Sequence, residues 1–433
     1  MPTKAKTDAA FLPFYRALSQ VATRLAPALA RGFAATLAQR HGAVARWRAH
    51  AAAGARGAIW LHAASVGEAL TVVPIVRRLR AARPGTPFVL THTSRAAAQW
   101  PGDWGVDYAD YLPLDAARPM EAMLEALAPP LLVLSRADVW PELVAAALRR
   151  GIPVAQVGAT VSPRSARLRW PICTALRPLY AGLAYVGAVS QADRARLRRL
   201  GVRDRVLDVT GDPRHDQVLE RIPDLRPVRP LIPWAAGAHV LVAGSTDARD
   251  AALLLEALAA LRRSHPAARL LLCPHEPNPD HTARLLALAH HIAVPAATWR
   301  GDGGGADGPP HEAACLVMEQ VGVLADLYTL GHLSYVGGGF GRLGVHAVIE
   351  PAAYALPTII GPRGLTGDAR ALLEAGGAIS LPSRGAKRAL GACWQSWLVS
   401  DDTRVRAGLA ARGVLSSGAA DRTAACLLEL VAQ

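Results

Sequence analysis

The chain has 433 residues, of which 51% are hydrophobic and 19% charged, a length that suggests two or three domains, each able to bury a core. That apolar content excludes a disordered chain, and 38 Gly and 32 Pro scattered without a period exclude a fibrous one. The net charge of +14 is carried by 45 Arg against 3 Lys beside a great excess of Ala, which reads as GC-rich codon usage, so no nucleic-acid partner is expected from it.

Residues 1–56 concentrate basic charge, with Lys4, Lys6, Arg16, Arg24, Arg31, Arg40, Arg46, Arg48 and Arg56 against the single acid Asp8. Between Phe11 and Leu37, apolar residues recur at steps of three and four, the mark of an amphipathic helix. Arg16, Arg24, Pro27 and Arg31 interrupt it, so no run reaches the ~18 apolar residues of a membrane span. The interruptions also argue against a cleavable signal peptide. A basic amphipathic helix suits the headgroup plane of an anionic leaflet; packing on the protein's own surface is the alternative.

From about residue 57, short apolar runs alternate with helical patterns. Strands are expected at Ala58–Ala63, Phe88–Thr91, Leu131–Leu134 and Val154–Val157, with helices at Ala69–Ala82 and Pro141–Arg150. Such alternation means a parallel sheet covered by helices on both faces. Arg221–Trp234, with four prolines, reads as a linker. A second alternating series follows, with strands at Val240–Ala243, Leu270–Cys273, Leu316–Met318, Leu333–Val336 and Thr358–Ile360 and an exposed loop at Gly301–Pro310. The expected organisation is a basic segment 1–56, a domain 57–222, a linker 223–235 and a domain 236–433. Two doubly wound domains with a ligand site in the interdomain cleft, at the strand C-termini, are expected. Cys173, Cys273, Cys315, Cys393 and Cys426 form neither a CxxC pair nor a disulfide ladder, as in a cytosolic chain.

Several strand ends carry chemistry. Ser65-Val66-Gly67-Glu68 is a capping-box pattern in which Glu68 is alternatively a general base for an incoming hydroxyl. Asp138-Val139-Trp140-Pro141 and Ser162-Pro163-Arg164-Ser165 follow the next strands; the second is suited to hold an anion, and an ordinary turn explains it nearly as well. In the second domain, Gly244-Ser245-Thr246 opens a helix and suits a phosphate or an N-cap. Pro274-His275-Glu276-Pro277 has no helical role and points to the cleft. Gly337-Gly338-Gly339-Phe340-Gly341 is a glycine loop whose entropic cost suggests close approach of a ligand, followed by His346 and Glu350, the latter suited to a ribose. No zinc-site spacing and no GxSxG elbow is present.

In order, these segments resemble the bacterial transferases of 3-deoxy-D-manno-oct-2-ulosonic acid (Kdo), which add this sugar to the lipid A precursor. The similarity runs from Trp60-Leu61-His62-Ala63-Ala64-Ser65-Val66-Gly67-Glu68 through Asp138–Pro141, Ser162–Ser165, Gly211-Asp212-Pro213-Arg214-His215-Asp216, Gly244–Thr246, Pro274–Glu276, and Gly322 with Tyr328, to Gly337–Gly341, His346, Glu350 and Pro351. Arg136 stands where the family's Glu-x-Glu-x-Trp-Pro run has its first acid, and Ala347 where an Asn follows the glycine-loop His. The resemblance implies an α/β GT-B architecture of two Rossmann-like domains, an acceptor-binding one and a donor-binding one. It implies inverting transfer from CMP-Kdo, no metal, and an N-terminal segment on the cytoplasmic face of the inner membrane. Glu68 would be the base. Ser245, Thr246, His275, Glu276, Gly337, Gly338, Gly339, His346 and Glu350 would meet the donor, and Ser65, Gly67, Asp138, Trp140, Ser162, Arg164 and Ser165 the acceptor. A UDP-sugar enzyme of the same architecture, or a non-catalytic relative that binds lipid or nucleotide, is the alternative.

Overall fold

The computed structural model describes residue 15 and residues 38–99, 103–137, 139–300, 309–341 and 344–432. The chain forms two units, residues 1–217 with 416–433, and residues 218–415.

The first unit is built on a seven-stranded sheet: β1 (Ile59–His62), β2 (Phe88–His92), β3 (Tyr108–Tyr111), β4 (Leu132–Ser135), β5 (Val154–Ala159), β6 (Tyr185–Ala188) and β7 (Leu207–Val209). Every pairing is parallel and the order is β3-β2-β1-β4-β5-β6-β7. The central strands are apolar throughout because helices cover both faces. On one face Trp60, Val89, Leu132 and Leu134 pack with Trp47, Met120, Leu143 and Tyr180. On the other, Ile59, Leu61, Val133 and Val157 meet Val72, Ile75, Val76 and Leu79 of a long helix, α2 (Val66–Ala82). These four residues share one stripe at helical spacing, which is why the segment is a helix here.

The second unit repeats the plan with β8 (His239–Thr246), β9 (Ala268–Pro274), β10 (Ala296–Trp299), β11 (Cys315–Met318), β12 (Leu333–Val336), β13 (Thr358–Ile360) and β14 (Ala378–Ser380), ordered β10-β11-β9-β8-β12-β13-β14. The order reverses between β1 and β4 in the first sheet and between β8 and β12 in the second, where β10 and β11 also exchange places at the edge. Loops diverge at such a reversal and leave a crevice beyond the strand C-termini, where doubly wound sheets bind ligands.

Three expectations about organisation are corrected. Residues 223–235 are not a free linker: Leu231 and Trp234 are fully buried in the second unit, and Trp234 Nε1 donates to the Ala313 carbonyl at 2.7 Å. Proline supplies fixed turns to packed segments as readily as to exposed ones, so composition alone did not separate the two. The last helix, Ala419–Ala432, belongs to the first unit rather than to a domain 236–433. Its Ala420, Ala424 and Leu427 form an apolar stripe that packs with the α2 side of the sheet, and Arg78 Nε donates to Asp421 at 2.8 Å.

Residues 1–56 are not wholly a separate membrane segment either. Helix α1 (Ala43–His50) buries Trp47, whose Nε1 donates to the Tyr111 carbonyl at 2.9 Å, while Arg46 pairs with Asp110 at 2.6 Å. The amphipathic stretch Phe11–Ala38 lies outside the described residues except at Tyr15, whose hydroxyl donates to Asp115 at 2.9 Å, and Ala38. Among the described residues, no helix is long and apolar enough to cross a membrane. Most of the loop Gly301–Pro310 also lies outside the described residues.

Candidate active site at two strand-order reversals

In the first unit, β1 ends at His62 and α2 begins at Val66, with Ser65 extended at the N-cap. The bonds here differ from those of the expected capping box. The Ser65 hydroxyl makes no capping bond, whereas Glu68 Oε2 accepts the Ala64 N–H at 2.8 Å. The carboxylate is therefore turned back toward the strand end, half-buried, and the helix start reinforces its negative charge. Ser135, last in β4, donates its hydroxyl to the Glu68 carbonyl at 2.7 Å, which ties the β1 and β4 loops together. Gly67 is exposed, and a Cβ there would meet nothing within 4 Å, so packing does not require the glycine.

Behind this loop sits a buried polar layer. His62 Nδ1 bonds Thr91 Oγ1 at 2.9 Å, the same oxygen that accepts from Trp60 Nε1, and His62 Nε2 has no partner among the described residues. Burial, with Arg40 and His92 nearby, pushes the His62 pKa down to about 3, so the ring is neutral. Its ring meets Trp140 edge-on at 5.3 Å, and the Arg40 guanidinium lies over Trp140 at 5.6 Å. Trp140 starts the helix α3 (Pro141–Arg149) without a side-chain cap of its own. Asp115 supplies the cap from another loop, accepting the N–H groups of Leu143 at 3.0 Å and Glu142 at 3.2 Å. Burial raises the Asp115 pKa to about 6 despite those amides and the Tyr15 hydroxyl. Sequence reasoning missed Asp115. The available signal was a helix opening at Pro141 with no Ser, Thr, Asp or Asn at the N-cap. Asp138 lies outside the described residues.

Ser162–Ser165 is an exposed turn whose hydroxyls serve the turn itself. Ser162 Oγ accepts from the Arg164 N–H at 3.4 Å, and Ser165 Oγ accepts from the Arg167 N–H at 3.3 Å. The turn reading accounts for both. Asp212, from the Gly211–Asp216 run, is buried and bonds two guanidiniums, Arg136 at 3.0 Å and Arg214 at 2.6 Å. Burial opposes its ionisation, but Arg214 and then Arg136 outweigh that and hold the carboxyl well below the usual range.

In the second unit, Ser245 takes a left-handed conformation (φ 53°) near the end of β8, and the Thr246 hydroxyl is turned to the Cys273 carbonyl at 3.4 Å. The N-cap of the following helix, α4 (Ala248–Leu261), is Asp247, in a reciprocal box with Asp250. Asp250, which sequence reasoning missed, is a buried anchor: it accepts from Tyr335 Oη at 2.6 Å and from the Gly338 N–H at 2.8 Å. Burial raises its pKa, and those donors favour the charged form.

The glycine loop has a different reason from the one expected. A Cβ on Gly337 would lie 2.3 Å from the Ser245 carbonyl oxygen, and one on Gly339 2.6 Å from Gly361 Cα. Chain pressed on chain requires these glycines, with no ligand invoked. Gly338 adds a φ of 88°, which side chains rarely adopt. The loop brings His346, whose N–H donates to the Gly337 carbonyl at 3.2 Å, face to face with the exposed His275, the rings 4.3 Å apart. Burial, then His275, lowers the His346 pKa. Ser245, Thr246, His275, Gly337–Gly339 and His346 thus form one cluster. Glu276 is exposed beside it, while burial raises the pKa of Glu350, with Arg221 opposing and Asp326 reinforcing that shift.

A family profile described as 3-Deoxy-D-manno-octulosonic-acid transferase (kdotransferase) matches residues 35–217. The 3-deoxy-D-manno-octulosonic acid transferase of Bordetella pertussis is 32% identical over 364 residues, covering 81% of each chain. That of Haemophilus influenzae is 27% identical over 314 residues, covering 70% of each. Among solved structures, a UDP-GlcNAc 2-epimerase from Neisseria meningitidis bound to UDP-GlcNAc superposes with a TM-score of 0.60 at 14% identity, covering 86% of this chain and 99% of that one. At that identity the likeness shows the fold alone, two Rossmann-like domains of GT-B type.

Proposed function

The chain belongs to the 3-deoxy-D-manno-octulosonic acid transferase family of glycosyltransferases, and we propose that it moves Kdo from CMP-Kdo to a lipid A precursor, a tetra-acylated disaccharide bisphosphate, in lipopolysaccharide biosynthesis. The observation that carries the chemistry is Glu68, a carboxylate at the strand-order reversal of the first sheet, turned toward the strand end by the Ala64 N–H. In this reading Glu68 takes the proton from an acceptor hydroxyl as the oxygen attacks the anomeric carbon, and CMP departs with inversion. CMP leaves as a stable phosphate monoester, so the reading needs neither a second carboxylate as acid nor a metal. His62, kept neutral by burial, donates no charge that would quench the base. The second unit holds the donor nucleotide at the His275–His346 face and the glycine loop.

The acceptor is a lipid, so the reading places the enzyme at the cytoplasmic face of the inner membrane. The basic N-terminal stretch supports this, since each Lys or Arg near an anionic surface adds ~1 kcal/mol of attraction. Removing residues 1–37 should abolish pelleting with anionic liposomes and leave nucleotide binding intact. Equal pelleting would place the membrane contact elsewhere.

Thermal-shift titration with free nucleotides tests the donor class. CMP should raise the melting temperature and UDP should not. Protection by UDP alone would favour a UDP-sugar enzyme.

A further inference from the structure

The setting of Arg136 is built rather than incidental. The residue follows β4 at the strand-order reversal, with its backbone in the left-handed region at φ 56°, rare for a side chain of this size. Two bonds fix that turn: its N–H donates to the Val157 carbonyl at 2.8 Å, and Gln156 Nε2 donates to its carbonyl at 2.7 Å. The preceding residue, Ser135, is the one bonded to the Glu68 carbonyl. The Arg136 turn and the Glu68 turn are thus stitched side by side at the ends of the adjacent strands β4 and β1.

The side chain is held but not used up. Arg136 gives Nη1 to Asp212 at 3.0 Å and remains 18% exposed, and its other N–H groups bond no described residue. Asp212 takes most of its bonds from elsewhere. Arg214 already donates Nε to both carboxylate oxygens at 3.1 Å and Nη2 to one at 2.6 Å, and the Arg214 N–H adds a fourth bond at 3.0 Å. A guanidinium anchored at one nitrogen by a buried carboxylate keeps the rest of its fork pre-oriented. A fork of this kind recognises phosphate or carboxylate in a way that Lys does not reproduce.

The geometry points to Arg136 as an oxyanion-binding residue of the first unit, seating a phosphate or carboxylate of the substrate beside Glu68. The identity of that substrate rests on the proposed function: the acceptor is a disaccharide bisphosphate and Kdo is a carboxylic acid. A seat for such a group next to the base would orient the attacking hydroxyl, a contribution of position rather than of proton transfer.

Two variants and two readouts test this. Arg136→Gln keeps an N–H for Asp212 and loses the charge; Arg136→Lys keeps the charge and loses the fork. Thermal-shift titration with inorganic phosphate at constant ionic strength should protect wild type, protect Arg136→Lys less, and leave Arg136→Gln unprotected. In steady-state transfer, Arg136→Gln should raise one KM by about tenfold or more, the scale of a lost charge-assisted hydrogen bond. A rise in the acceptor KM that a dephosphorylated acceptor erases assigns the phosphate; a rise in the CMP-Kdo KM assigns the carboxylate. Both KM values within twofold of wild type, with phosphate protection unchanged in both variants, would overturn the assignment. If wild type transferred no Kdo, the functional reading would fall, and the phosphate titration would still decide the seat.

Discussion

After β1 and β4 in the first unit, the loops are held by side chains: Glu68 on the Ala64 N–H, the Ser135 hydroxyl on Glu68, and Arg136 and Arg214 on buried Asp212. After β8 and β12 in the second unit, they are held largely by backbone, with Gly337 against the Ser245 carbonyl and Gly339 against Gly361, and with the buried carboxylate of Asp250 between them. Both regions sit at the order reversal beside the first strand of their sheet. The difference teaches that this point can be built for charge or for shape. A side-chain-held loop supplies ionisable groups for proton transfer and charge recognition, whereas a glycine-built loop supplies close approach and N–H groups. The proposed base chemistry in the first unit and the proposed nucleotide binding in the second follow that division.

The comparison can be broken at either end. Glu68→Gln keeps an acceptor for the Ala64 N–H and removes the base, so turnover should fall by about 100-fold or more with the melting temperature held. Near-normal turnover would remove charge chemistry from the first region. The matching variant in the second region is Gly339→Ala, whose Cβ would lie 2.6 Å from Gly361 Cα. Overpacking of that kind should cost about 1–3 kcal/mol in urea unfolding and abolish CMP protection. Its control is Gly67→Ala, where a Cβ meets nothing within 4 Å, and stability should hold or rise by up to ~1 kcal/mol. Equal destabilisation by the two alanines would erase the contrast.

Acidification sharpens the same contrast. The folded His62 has its pKa lowered to about 3 by burial, so its contribution to stability is complete above the unfolded value of 6.5 and is lost as the pH falls toward 3. Asp115, raised to about 6 by burial, works the other way: the folded state binds its proton more readily, so acidification from about 6 toward 3.8 favours folding. His346, lowered by burial and then by His275, acts in the His62 direction in the second unit. Between pH 7.5 and pH 5, wild type should lose about 2 kcal/mol more than His62→Gln, at ~1.4 kcal/mol per pH unit below the unfolded pKa. Equal pH dependence would mean that His62 is not buried as a neutral ring. The smallest effects belong to the exposed turn. Ser162→Ala and Arg164→Ala should each stay within about twofold of wild-type kcat/KM, because the hydroxyls cap the turn and a substrate bond would cost more. A tenfold loss would put that turn on the substrate.

Much of this was legible in the sequence because buried parallel strands read as unbroken apolar runs. Leu333–Val336 and Thr358–Ile360 coincide with β12 and β13, and Phe88–Thr91 falls one residue short of β2. Five strands were not legible. Tyr108–Tyr111, which includes Asp110, Leu207–Val209, Ala296–Trp299 and Ala378–Ser380 lie at sheet edges, and Tyr185–Ala188 is an interior strand of only four residues, one of them Gly. Edge strands are half-solvated and carry little apolar signal. The glycine loop was visible as a motif, but its cause was not, since Gly361 and Ser245 are brought against it only by the fold. Asp115 and Asp250 were missed for a related reason, because each serves amides far away in sequence. The return of the last helix to the first unit was equally hidden: Ala420, Ala424 and Leu427 show that a helix packs, without showing against what.

Purified full-length protein incubated with CMP-Kdo and a tetra-acylated disaccharide bisphosphate, with product masses followed over time, tests the central claim most directly. The account predicts an acceptor heavier by a Kdo residue, with free CMP released in equal amount, and loss of both signals in Glu68→Gln. Turnover of a UDP-sugar with CMP-Kdo left intact, or undiminished Kdo transfer by Glu68→Gln, would contradict it.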